Sequence, residues 1–85
     1  MLLSDFKKKY KVENYSKVAP TEFDYGVLKF TIDKYLIEID YGFENSGTLF
    51  SIDIISGNNI YHGDNYGGGI KGALDNINNE LSKLL

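Results

Sequence analysis

Between Val27 and Phe43, apolar and polar residues alternate on both sides of Asp33-Lys34, and this pattern decides most of what the chain can fold into. Two strands, 27–32 and 35–43, joined by a two-residue turn, set Ile32 opposite Tyr35, Phe30 opposite Ile37 and Leu28 opposite Ile39. Directly opposed residues share a face, so the register gathers all six on one apolar face. The other face receives Thr31 beside Leu36, Lys29 beside Glu38 and Val27 beside Asp40.

The same reading extends in both directions. Glu44-Asn45-Ser46-Gly47 is turn chemistry, and 48–55 reads as a third strand. A four-residue loop there pairs Tyr41 with Phe50, Ile39 with Ile52 and Ile37 with Ile54, while Ser51, Asp53 and Ile55 join the outer face. Ser56 to Asn59 is a further turn, and Ile60 to His62 a short fourth strand at the edge. Residues 2–12 read as a short helix, with Leu3, Phe6 and Tyr10 on one side and Ser4 or Asp5 as cap. Residues 13–25, with the lone Pro20, read as a loop that has a short extended piece at 22–25. After a glycine-rich connection, Ile70, Leu74, Ile77, Leu81 and Leu84 form the stripe of an amphipathic helix. The expected architecture is one α+β domain over 1–85: an antiparallel sheet of three or four strands, with the N-terminal and C-terminal helices packed on its Phe30/Ile37/Ile52 face.

Composition limits the function. The chain has no cysteine, so a core drawn from its 42% hydrophobic residues holds it together without staples, as a reducing compartment suits. Residues 1–12 offer no apolar stretch of a secretion signal, and no run approaches a membrane span, so a cytoplasmic location is expected. The Asn14-Tyr15-Ser16 sequon has no meaning without a secretory route. Residues 1–17 hold five Lys against Asp5 and Glu13, a net +3, whereas the rest of the chain carries −6. All nine basic residues are Lys; arginine, the preferred fork for phosphates and base edges, is missing. Abundant Lys, Asn, Ile and Tyr without Arg, Trp or Gln points to A+T-rich coding in a low-GC bacterium, phage or mobile element.

Several motifs carry less than they promise. Gly67, Gly69 and Gly72 satisfy the dinucleotide spacing, but no second strand and acid follow them; a tight helix entry is the better reading. His62 is the lone histidine, which excludes a multi-histidine metal site within one chain. The inferred register sets it beside Asp53 as an acid/base pair or, more simply, as part of a solvated charge row with Lys29 and Glu38. Lys7 to Lys11 can touch phosphates, or can be the wet side of an amphipathic helix. The order helix, three strands, helix resembles that of double-stranded-RNA-binding domains. Their basic cluster at the start of the last helix is here a lone Lys71, so no family follows.

The outer sheet face is the most informative surface. Leu36, Ile55 and Ile60 lie towards one end, with Glu38, Asp40 and Asp53 beside them. Apolar anchors among carboxylates are the composition of a protein-binding patch. The expected function is therefore a non-enzymatic interaction module, needing no cofactor or metal. It would act as a small acidic inhibitor, antagonist or immunity protein that masks another protein, such as one that handles nucleic acid. The second reading is a nucleic-acid-binding domain using Lys7 to Lys11 and the glycine-rich helix entry. The third is a small-ligand binder around His62. A homo-oligomer formed through the outer face or an edge strand is compatible with the first.

Overall fold

Five strands form an antiparallel meander: β1 (Glu13–Val18), β2 (Gly26–Ile32), β3 (Tyr35–Tyr41), β4 (Thr48–Ile54) and β5 (Asn59–Asn65), in that spatial order. Helix α1 (Leu3–Lys9) precedes them and α2 (Gly69–Leu84) follows. The structure, a computed structural model, describes residues 1–18, 26–41, 47–65 and 69–85. The fold class is α+β, as expected, with one strand more than the largest number read from the sequence.

The central hairpin forms in the anticipated register, with Leu28 opposite Ile39, Phe30 opposite Ile37 and Ile32 opposite Tyr35. Asp33 takes φ 54, the positive sign that mirror-image hairpin turns need at their first position and that a short polar side chain tolerates. Strand alternation then buries every second residue. Leu28, Phe30, Ile32, Tyr35, Ile37, Ile39, Phe50 and Ile52 are closed off from solvent. Phe6 from α1 and Ala73, Leu74, Ile77 and Leu81 from α2 complete the same cluster. The Phe6 ring meets Phe30 edge-on, with centroids 5.6 Å apart. Ala73 lies outside the apolar stripe read from the sequence yet is fully buried in the same cluster.

The β3–β4 register differs from the expected one by two residues. Ile37 faces Ile52, Ile39 faces Phe50 and Tyr35 faces Ile54. This pairing matches the full length of β3 to the full length of β4, whereas the expected one strands Tyr35 beyond the end of the ladder. It also brings the Ile55 N–H to the Lys34 carbonyl, at 3.0 Å, tying together the two turns at that end of the sheet. The turn expected at Glu44 to Gly47 falls, apart from Gly47, outside the described residues, as does the extended piece at 22–25.

Both edges carry corrections. Residues 13–18 are not loop but β1, paired with β2 through Ser16–Lys29, Lys17–Leu28 and Val18–Val27. A bulge between Glu13 and Ser16 absorbs one extra residue, and Asn14 there takes φ 55. The Asn14 carboxamide donates to Thr31 Oγ1 at 2.9 Å, and that hydroxyl donates to the Glu13 carbonyl at 3.2 Å, pinning the bulge. At the opposite edge β5 runs seven residues, not three, and a second irregularity near Ile60 sets Asn59 opposite Asp53. The intervening turn is closed by Gly57 N–H to the Ile54 carbonyl at 2.7 Å and occupies 55–58, so Asn59 already belongs to the strand.

The helices are shorter than the periodicity suggested or differently capped. α1 stops at Lys9, and its N-cap is Leu2, with no side-chain cap from Ser4 or Asp5. Tyr10, just beyond, reaches α2 through its hydroxyl, which donates to Asn78 Oδ1 at 2.6 Å. Gly69 opens α2 with φ 59, a conformation that favours glycine. Gly67 and Gly68 lie outside the described residues. Gly72 sits against the Asn65 carboxamide, where a Cβ would collide.

Candidate functional site

Three parallel rows of side chains cross the face opposite the buried cluster, because directly paired residues in neighbouring strands point the same way. The first row reads Val18, Val27, Asp40, Leu49, Asp64. The second reads Ser16, Lys29, Glu38, Ser51, His62, and the third Glu13, Thr31, Leu36, Asp53, Asn59. All the buried residues of both helices belong to the other side's cluster. The outer face is accordingly half-buried or exposed, with Leu49 56% and Val18 66% accessible.

The two-residue change of register rearranges the expected neighbours. Glu38 does not oppose Asp53; it lies opposite Ser51 and pairs with Lys29 at 3.2 Å. The like-charge contact inferred from the sequence is therefore relieved. Asp53 opposes Leu36 and accepts a hydrogen bond at 2.7 Å from the Asn59 carboxamide. His62 lies opposite Ser51, not beside Asp53; its Nδ1 sits 3.3 Å from Asn59 Oδ1, so Asn59 intervenes between ring and carboxylate. An acid/base pair of His62 with Asp53 is thus not formed. Ile55 is exposed in the turn after β4, and Ile60 is exposed at the β5 irregularity.

Of the six residues singled out from the sequence, the structure brings Glu38 and Asp40 together around one feature. With Leu49, Ser51, His62 and Gly63 they line an open concavity of about 220 Å³. Leu36, Asp53, Ile55 and Ile60 do not line it. Leu49, Ser51 and Gly63 were not anticipated as site residues, although strand parity already put Leu49 on the outer face. Gly63 is required there by the core: a Cβ would approach within 2.8 Å of Cζ in the Phe50 ring, which lies across the glycine.

Asp40 is the least satisfied group on this face. Its Oδ1 is shut off from solvent and finds no hydrogen-bond donor among the described residues. Burial first, and the charge of Glu38 second, push the Asp40 carboxyl above the ordinary carboxylate range, while Lys29 pulls the other way. A carboxylate left short of donors favours any donor or cation brought to it. Among the described residues no three His, Cys, Asp or Glu side chains converge as metal ligands, and no helix is long and apolar enough to cross a membrane.

Three lysines of the N-terminal segment have surface contacts within the chain. Lys7 Nζ sits 3.9 Å from the centre of the Tyr15 ring, Lys9 Nζ lies 5.6 Å from that of Tyr10, and Lys11 reaches Glu13 at 3.6 Å. No protein-family model, no curated protein and no solved structure matches the chain.

Proposed function

We propose that this chain is a non-enzymatic binding module, cytoplasmic in location, that engages another protein through the open face of its sheet. The observation that carries this reading is the mixture of exposed Val18 and Leu49 with Glu38, Asp40 and Asp53 across a face to which neither helix gives a buried side chain, with exposed Ile55 in the adjoining turn and Ile60 at the β5 irregularity. The reading takes both helices to lie on the Phe30/Ile37/Ile52 side, as the shared cluster supports. Apolar side chains give such a surface its slow dissociation, and the carboxylates speed encounter with a basic partner. An acidic antagonist of a nucleic-acid-handling protein is the biological role that best fits.

The concavity supports a ligand or catalytic reading less well. At about 220 Å³ it lies below the usual range for small-molecule sites, and His62 reaches Asp53 only through Asn59. A nucleic-acid reading is weakened by the lack of any arginine, the preferred fork for phosphates and base edges.

Capture from the native host with wild type, Leu49→Asp, and the triple variant Lys7→Ala/Lys8→Ala/Lys9→Ala tests the proposal. Leu49→Asp is expected to lose the partner at a stability cost of about 1 kcal/mol, because the new carboxylate falls directly between Asp40 and Asp64, and the variant should still unfold cooperatively. The lysine variant is expected to keep it. Retention by Leu49→Asp with loss by the lysine variant would hand the argument to nucleic acid.

A further inference from the structure

The Glu38/Asp40 concavity has three properties that together specify an occupant. Its lining holds two carboxylates, Glu38 and Asp40, and no lysine; Lys29, outside the lining, pairs with Glu38. Asp40 has no ion-pair partner among the described residues; its Oδ1 is closed to solvent, so an incoming group can meet this carboxylate only through Oδ2. Leu49 forms an exposed apolar wall beside these acids, next to Ser51. A group that satisfies all three carries one positive charge, at least one N–H donor and an aliphatic stem.

We propose that this concavity receives a lysine or arginine side chain of the partner protein, its charged head on Asp40 and its stem along Leu49. The inference rests on the open face being a protein-docking surface and names the chemistry of what docks there. Charge-assisted hydrogen bonds to a carboxylate are the stronger kind, and long basic side chains lay their stems on apolar surface while the head stays polar. A single added cation also neutralises the local excess, whereas an acidic or purely apolar side chain would leave Asp40 covered and unpaired.

Amide chemical-shift titration of the full ¹⁵N-labelled chain tests this without a known partner. The probes are N-acetyl-lysine methylamide and N-acetyl-arginine methylamide, with the norleucine counterpart as uncharged control and spermidine as a free polyamine. Saturable shifts are expected at residues 38–40, 49–51 and 62–63 with the two cationic amides and not with norleucine. Asp40→Asn, which keeps the shape, should bind them roughly tenfold more weakly. No saturable shift there, equal response to norleucine, undiminished binding by Asp40→Asn, or a preference for spermidine over both amides would each overturn the proposal. The docking surface itself fails separately. Loss of a captured partner by Leu49→Asp but not by Asp40→Asn removes the cation site and keeps the interface. Cation binding with no partner lost by Leu49→Asp removes the interface.

Discussion

The two faces of the sheet are built from the same strands, yet their side chains obey different constraints. On the inner face, what matters is that a residue points inward: Leu28, Phe30, Ile37, Ile39 and Ile52 need apolar company, and several arrangements supply it. On the outer face, what matters is the particular neighbour. Glu38 beside Lys29 is an ion pair, whereas Glu38 beside Asp53 would be a repulsion. The inner face therefore tolerates a slide of two residues that preserves pointing, and the outer face does not. A chemical site on a sheet is fixed by register, a core mainly by parity.

Substitutions can press on that difference. The largest effect belongs to the inner face: Ile37→Ala, at a fully buried position, should cost about 2–5 kcal/mol in denaturant unfolding. A midpoint unchanged by it would mean the buried cluster does not hold the fold. Gly63→Ala comes next, at about 1–3 kcal/mol, since the new Cβ meets the buried Phe50 ring. It would show that the inner face dictates one residue of the outer concavity. On the outer face a double-mutant cycle of Lys29→Ala and Glu38→Ala should return a coupling of only about 0.2–1 kcal/mol, as for other exposed pairs. The same cycle on Glu38 and Asp53 should return less, because the two are not paired.

The smallest effect should appear as a pH dependence. Burial and Glu38 raise the Asp40 pKa in the folded chain, so the folded state holds that proton more tightly than the unfolded one. Asp40 thus contributes stability below the unfolded carboxylate value and loses it as pH rises through the raised folded value. Asp40→Asn removes this dependence. Its thermal midpoint relative to wild type should be most favourable near neutrality, and the advantage should vanish as pH falls below the unfolded value. A constant difference across pH would place Asp40 in a solvated setting.

The same logic explains what the sequence could show. The register of the central hairpin was legible because Asp33-Lys34 fixes its centre and one apolar face demands one parity, although β2 starts one residue earlier, at Gly26, and the expected end of the next strand at 42–43 lies outside the described residues. Beyond the hairpin, the register of β3 with β4 differs from the expected one by two residues, and that of β4 with β5 by two up to Ile52 and by three at Asp53, since a slide of two leaves the apolar pattern intact and the irregularity at Ile60 adds one more. Face assignments of Glu38, Asp40, Asp53 and His62 survived; their partners did not. β1 was invisible because all six of its residues are exposed and the Asn14 bulge breaks the alternation that marks a strand. The concavity needed Leu49 and Gly63, whose roles arise from pairing rather than from residue type.

The irregularities at Asn14 and Ile60 have a consequence beyond local geometry. A meander whose first and last strands lie at its margins offers two unpaired ladders on which further chains could add, copy upon copy. Each margin here is interrupted: β1 by the extra residue at Asn14, β5 by the misaligned step at Ile60. Charged Lys17 on one and Asp64 on the other further discourage a flat, apolar template. Such interruptions work against growth of the sheet sideways into fibres, so that a surface rich in exposed leucine, isoleucine and valine can be kept available for recognition at a lower risk of self-association.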